Sequence, residues 1–263
     1  MTMEEIELVT IANYLRPESL EEAYELNQKK ANRVLGGMMW LRLCSPRIQN
    51  AIDLSGLDLD YIKETEEAFE IGAMCSLRGL ETHQGLEACF DGAVRESLRH
   101  IVGVQFRNQA TVGGSIYGRF GFSDVLTCLL ALDTEVVLVH AGKITLAEFI
   151  SRKRDRDILE KIIIKKDQRK IVYLSQRATK TDFPMVACAV SKKEDTWYIS
   201  IGARPVRAEL AVISGEPVSA EALAGQAVSE MKFGSNMRGS SEYRQAVAEV
   251  LVKRAAKMIL EEA

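Results

Sequence analysis

Apolar residues along the chain fall into short runs separated by capped amphipathic stretches. Ser19 followed by Glu22 makes a capping box, because hydroxyl and carboxylate can satisfy amides left unpaired at a helix start; Leu20, Ala23 and Tyr24 then mark one helical face. Arg33-Val34-Leu35 reads as a short strand broken by Gly36-Gly37. A strand-like pair is predicted at 51–54 and 69–73, and a helix at 93–101. The stretch 105–116 is rich in β-branched residues, Asn and Gly, which predicts turns and short strands rather than helix. A helix is predicted from Asp124 to Leu132 and a strand at 135–139. Dense charge over 151–157 marks a boundary, and strands are predicted beyond it at 161–164, 170–174, 185–190 and 197–202. Two helices close the chain, at 219–231 and 242–260. The last carries Tyr243, Ala246, Val247, Val250, Leu251, Ala255 and Met258 as its expected docking stripe. Strands and helices mixed without regular βαβ alternation predict an α+β architecture rather than a doubly wound sheet.

Composition narrows the function classes. A length of 263 residues suits one large domain or two ordinary ones, at roughly 150 residues each. Lys plus Arg is 34 against 37 for Asp plus Glu, a net charge of −3, so no basic excess exists to follow a nucleic-acid backbone. The longest apolar stretch, Val125 to Leu132, is far below the ~20 residues of a membrane span. Met1 to Leu8 carries acids where a secretion signal carries bases, so a cytoplasmic protein is expected, with neither nucleic acid nor membrane as partner. Cys44, Cys75, Cys89, Cys128 and Cys188 include no closely spaced pair, and His83, His100 and His140 are far apart. That spacing argues against an iron–sulfur or zinc site of the chain's own, so redox chemistry here would need an organic cofactor.

Two glycine pairs are the most informative features: Gly36-Gly37 after a strand, and Gly113-Gly114 within Asn108-Gln109-Ala110-Thr111-Val112-Gly113-Gly114-Ser115. Glycine lets backbone amides approach a ligand, and successive amides in a turn make a concavity that holds phosphate oxygens. One such pair is usually a tight turn; two could grip both sides of a diphosphate. No G-x-G-x-x-G, G-x-x-x-x-G-K-[ST], G-x-S-x-G or H-E-x-x-H occurs, so a dinucleotide would need a fold other than Rossmann.

Arg33-Val34-Leu35-Gly36-Gly37-Met38-Met39 resembles the first FAD-binding loop of the flavoprotein subunits of molybdenum hydroxylases, the group that includes the FAD subunits of bacterial xanthine dehydrogenases and aerobic carbon monoxide dehydrogenases. Arg107 to Ile116, followed by Ser123-Asp124 and Leu129 to Asp133, resembles that family's second FAD motif. Weaker matches lie at Arg16-Pro17, Ile71-Gly72-Ala73 and Gly239 to Arg244. The resemblance implies a two-lobed FAD-binding domain of the vanillyl-alcohol oxidase (PCMH) type over 1–155, with lobes of about 1–55 and 56–155. A C-terminal α+β domain like that of the CO dehydrogenase flavoprotein would follow over 156–263. It further implies that the loop from Arg33 and Val34 onward binds FAD, with amides of Leu35, Gly36, Gly37, Met38 and Met39 on the pyrophosphate. Thr111, Gly113, Gly114 and Ser115 would line the other side, with Ser123 beside Asp124 and Asp124 bonding a ribityl or sugar hydroxyl. Trp40 and Ile101 match positions near the flavin ring, and Leu159 a ring contact.

Met38 and Met39 stand where the family has Thr or Ser and then a polar residue, which leaves backbone contacts alone to the phosphates. By the same resemblance no side chain is catalytic and no metal is bound by this chain. Substrate is hydroxylated at the molybdenum of a molybdopterin-binding large subunit, electrons pass through an iron–sulfur subunit, and FAD hands them to NAD or another acceptor. Two other readings are a FAD-free scaffold subunit and a stand-alone flavin oxidoreductase. His100, beside Ile101, is expected to be a surface or capping residue rather than a covalent flavin link.

Overall fold

The computed structural model describes residues 9–44, 47–215 and 217–261; the acidic stretch Met1 to Leu8 lies outside them. Strand β1 (Thr10–Leu15), helix α1 (Leu20–Asn27), β2 (Asn32–Leu35) and β3 (Arg47–Asp53) form a parallel sheet of order β1-β3-β2. Ser19 caps α1 by accepting from the Glu22 amide at 3.1 Å, while the Glu22 carboxylate accepts from the Glu18 amide at 2.7 Å. The predicted box is thus present, with its carboxylate one residue further out. After β2 the chain passes through Gly36-Gly37 into a 3-10 turn at Leu41–Leu43.

A second unit begins with β4 (Ile62–Glu64) and β5 (Ala68–Gly72) and continues through six helices: α2 (Leu77–Glu81), α3 (Gln84–Cys89), α4 (Ala93–Leu98), α5 (Val104–Gln109), α6 (Val112–Tyr117) and α7 (Asp124–Leu130). It closes with β6 (Thr134–Leu138), β7 (Gly142–Thr145), α8 (Leu146–Ser151) and β8 (Leu159–Lys165), in an antiparallel sheet of order β4-β5-β8-β6-β7. The predicted strand pair 51–54 and 69–73 is therefore split between two sheets. Strand β8 completes the second sheet between β5 and β6, because Leu159, Ile162 and Ile164 are buried in the main core with Phe69, Ile71 and Val136. The sheet thus runs past the boundary read from the charged stretch.

The third unit is a meander, β9 (Lys170–Arg177), β10 (Pro184–Lys193), β11 (Thr196–Gly202) and β12 (Glu209–Ser214), in the order β12-β11-β10-β9, followed by α9 (Ala220–Ser229) and α10 (Ser241–Glu261). Its core joins Val186, Cys188, Val190, Trp197, Ile199 and Ile201 to the alanine-rich faces of both helices. Helix α10 docks through Arg244, Ala248, Leu251, Val252, Ala255, Ala256 and Ile259, whereas Tyr243, Val250 and Met258 of the predicted stripe are exposed. Apolar residues lie on both sides of this helix, and the flat alanine face meets the sheet. No described helix is long and apolar enough to cross a membrane.

Candidate functional site

The two glycine pairs come together. A Cβ on Gly37 would lie 1.7 Å from the Gln109 carbonyl oxygen, and one on Gly36 would lie 2.7 Å from Thr111 Oγ1 and 3.8 Å from the Gly114 amide nitrogen. Close approach of two backbones, rather than a positive φ, is what demands glycine here; the positive φ, 57°, falls on Met38. The Met38 side chain packs with Leu35, Ile48 and Ala51, and Met39 is buried in the main core, so neither thioether fills the turn.

Amides separate the two loops by role. Those of Gly36, Gly37, Met38, Met39 and Trp40 donate to no other described residue. Backbone donors are almost always paired when shielded from water, so five consecutive free ones beside a half-buried turn make a cradle for anionic oxygens. The second loop is different. Val112 and Gly113 amides donate to the Cys75 and Ala73 carbonyls at 2.9 and 2.7 Å, Gly114 to Thr111 Oγ1 at 3.1 Å, and Ser115 to the Thr111 carbonyl at 3.1 Å. This loop is the capped first turn of α6, not the turns and short strands predicted over 105–116. Its glycines serve packing: a Cβ on Gly113 would meet the Ala73 carbonyl oxygen at 2.7 Å. Unpaired amides are thus found on the Gly36 to Trp40 side alone, with Thr111 Oγ1 against it, and not in both glycine pairs as expected.

Beside the cradle lies a cavity of about 240 Å³ lined by Trp40, Ile101, Ser115, Ser123, Asp124 and, from the third unit, Phe183, among others. Its walls are aromatic. Trp40 meets Phe106, Phe122 and Phe183 at ring-centre distances of 5.2, 5.4 and 5.2 Å, and Phe122 meets Phe183 at 4.5 Å. Such faces suit a flat aromatic guest.

Asp124 stands at the first position of the wholly buried α7, and Ser123, not Asp124, caps it by accepting from the Leu126 amide at 3.1 Å. One carboxylate oxygen, Oδ1, accepts from Arg177 Nη2 at 2.5 Å and from the Tyr173 hydroxyl. Burial pushes the Asp124 carboxyl up to about 6 in spite of Arg177 and Tyr173, and burial beside Asp124 holds the Tyr173 phenol far above its ordinary range. Asp124 is therefore tied to the third unit through Oδ1. His100, expected as a surface or capping residue, is half-buried and lines the cavity; burial and then Arg99 depress its basicity.

Of the sequence-predicted residues, Gly36, Gly37, Met38, Met39, Trp40, Thr111, Gly114, Ser115, Ser123, Asp124 and Ile101 lie on the cradle or the cavity. The Arg33 side chain turns back to the Lys30 and Asn32 carbonyls at 2.6 and 2.9 Å. Val34 packs with Ala23 and Ile52 on the α1 side, Leu35 packs with Ile48, and Leu159 is 4% exposed within β8, outside the cavity lining. Tyr173, Arg177 and Phe183, together with Phe106 and Phe122, were not singled out. The phenylalanines carry no spacing signal, and Arg177 reaches Asp124 only because β9 packs on α4 while α7 packs on the neighbouring β10 and β11.

Residues 7–166 match the family model described as the FAD binding domain in molybdopterin dehydrogenase, and the match ends where β8 ends. The chain is 30% identical over 249 residues to the uncharacterized protein YgfM of Escherichia coli (strain K12), covering 92% of this chain and 94% of that protein. It is 27% identical over 278 residues to the glyceraldehyde dehydrogenase medium chain of Sulfolobus acidocaldarius, covering 94% and 98%. Among solved structures, quinoline 2-oxidoreductase from Pseudomonas putida 86 superposes with a TM-score of 0.85 at 18% identity over 97% of this chain and 98% of that one. Reconstituted CO dehydrogenase from Oligotropha carboxidovorans does so with a TM-score of 0.81 at 21% identity, over 97% and 99%. At these identities the structural likeness establishes the fold, and the expected α+β arrangement stands.

Proposed function

The chain belongs to the family of FAD-binding domains of molybdopterin dehydrogenases, and from that membership we propose that it is the FAD-binding, electron-transferring subunit of a molybdenum hydroxylase complex. The observation that carries this reading is the run of five free amides from Gly36 to Trp40 opening beside an aromatic-walled cavity. Those residues fit FAD: amides without a lysine suit a diphosphate, and the rings of Trp40, Phe122 and Phe183 suit a tricyclic ring. Thr111 Oγ1 already accepts from Gly114, so its proton is left for a phosphate oxygen. Asp124 Oδ2 can accept from a ribityl or sugar hydroxyl, as a carboxylate cannot from a phosphate. Ser115, Ser123 and Ile101 complete the wall.

Bound FAD supplies the redox chemistry, accepting two electrons and releasing them singly or as a hydride. The protein's own share is to hold the diphosphate at the cradle, exclude water with the aromatic wall and fix the surroundings of the ring. In this reading the electrons come from an iron–sulfur subunit, the substrate is oxidised on a molybdopterin-binding large subunit, and the acceptor is NAD or another carrier. A xanthine dehydrogenase-like complex in the cytoplasm is the proposed setting, with activity only in the complex. The relative named as a medium chain of glyceraldehyde dehydrogenase supports one place among several chains.

Gentle purification followed by FAD titration of the apoprotein tests the cofactor, with stoichiometric flavin absorbance expected. A chain that takes up no FAD would be the scaffold alternative. Reduction of the FAD-loaded chain only when a cluster-bearing partner is added supports the electron-transfer role, and rapid reduction by an organic substrate with the chain alone would point to a stand-alone oxidoreductase.

A further inference from the structure

The cavity wall between α4 and α5 carries a strained residue. Val102 lines the cavity and holds a φ of 50°. For a β-branched residue that conformation costs ~1–3 kcal/mol and persists only where its surroundings enforce it. The enforcing contacts are identifiable. Arg107 of α5 donates from Nε and Nη2 to the Glu81 carboxylate at 2.7 and 3.1 Å, and from Nη1 to the Ile101 carbonyl at 3.0 Å. The two side chains are only 5% and 6% exposed. A buried ion pair adds little net stability against a well-packed apolar replacement, so stability alone is a poor account of this one. Arg78 adds a second cation to Glu81 at 2.8 Å. Burial lifts the Glu81 carboxyl, but the hydrogen bonds from Arg107 and Arg78 outweigh it and hold it below its ordinary range.

The turn so held has donors to spare. The Ile101 amide donates to the Leu98 carbonyl at 2.9 Å, whereas those of Val102 and Gly103 donate to no other described residue. We propose that Arg107 and Glu81 are positioning residues, which clamp the 101–103 turn in its strained form so that its unpaired amides serve as hydrogen-bond donors to the bound flavin ring. Donors there favour the electron-richer reduced ring, so the clamp raises the midpoint potential as well as the affinity. This inference rests on the reading that the cavity takes FAD.

Two variants and their combination test it. Arg107→Lys keeps the charge but loses the fork and the Ile101 contact, and Val102→Gly removes the strain without touching the ion pair. FAD dissociation constants, flavin midpoint potentials and apoprotein melting temperatures are measured for each against the parent chain. Weakening of FAD binding by about tenfold, with a midpoint potential shifted to more negative values, is expected for Arg107→Lys. Val102→Gly, in which a positive φ carries no cost, keeps the parent's affinity and potential, restores both when combined with Arg107→Lys, and melts no lower than the parent. Binding within twofold of the parent and an unshifted potential in Arg107→Lys, or a double variant that binds no better than Arg107→Lys alone, would overturn the proposal, whatever the melting temperatures do. Glu81→Gln, which loosens the clamp at its other end, carries the same test where Arg107→Lys does not fold. A parent chain that binds no FAD refutes the underlying cofactor reading, a separate outcome read in the same titration.

Discussion

At Gly37 a single methyl group decides whether two loops can meet. The hypothetical Cβ falls 1.7 Å from the Gln109 carbonyl oxygen, backbone that cannot rotate away, whereas at Gly36 it meets the Thr111 hydroxyl, which can. Gly37→Ala is therefore expected to cost about 3 kcal/mol or more and to abolish FAD binding, and Gly36→Ala to cost roughly 1 kcal/mol with weakened binding. Thermal melts with and without FAD distinguish them. Asp124 makes a second prediction. Its carboxyl, ordinarily near 3.8, is raised to about 6 in the folded chain, so the folded state holds this proton more tightly than the unfolded one. The resulting stability is fully present below pH 3.8 and lost as pH rises through 6, on the order of 2–3 kcal/mol. Asp124→Asn removes this titration. The stability of the parent relative to the variant should fall between pH 4 and pH 6, as followed by urea unfolding at each pH; a difference that rises over that window would contradict the raised carboxyl. Gly36 was legible in its residue type, and Thr111 and Asp124 only through the family resemblance. Arg177 and Tyr173 were not, because their meaning depends on which buried carboxylate they reach.

Elements were legible where one signal dominated and misread where two competed. Caps were the clearest: Ser19 stands where the sequence places it, and Ser219 accepts from the Ala222 amide at 3.1 Å to start α9. In 105–116 propensity pointed to turns, yet Phe106, Val112 and Ile116 bury one face against the main core, and Thr111 closes the first turn of α6. Tertiary burial overrode intrinsic preference. The missed signal was Thr111 three residues before Gly114, a capping hydroxyl that accepts from the Gly114 amide, which the glycine pair disguised as a loop. Thr111→Val should thus act twice, destabilising the chain by about 1 kcal/mol through the lost cap and weakening FAD binding through the lost hydroxyl. Helix α10 shows the opposite failure, since large apolar residues drew the predicted stripe to Tyr243, Val250 and Met258 while the sheet packs on Ala248, Ala255 and Ala256. Ala255→Leu is expected to destabilise by roughly 1–3 kcal/mol through overpacking, and Val250→Glu by less than about 0.5 kcal/mol. Chemical unfolding of the two variants checks which face is buried.

Across the whole molecule, the three sheets contribute to one cavity. Trp40 arrives from the connection between β2 and β3 of the parallel sheet, Ile101 to Asp124 from the helical layer of the second, and Phe183 from the β9–β10 hairpin of the third. The Asp124–Arg177 pair and the Trp40–Phe183 contact cross between these units. A guest in the cavity therefore adds contacts to all three at once and binds the unfolded chain not at all. Mass action then requires a ligand-dependent stability of about 2.7 kcal/mol at a free concentration one hundred times Kd. For a chain of this size that is a rise in melting temperature of about 5–10 °C. The increment should follow the logarithm of FAD concentration. FMN, which lacks the adenosine and the diphosphate bridge that the Gly36 to Trp40 amides are suited to hold, should give much less. Differential scanning calorimetry across an FAD series, repeated with FMN, measures both. Equal stabilisation by the two flavins would show that the ring pocket binds without the amide cradle, and the cradle's assignment to the diphosphate would fall.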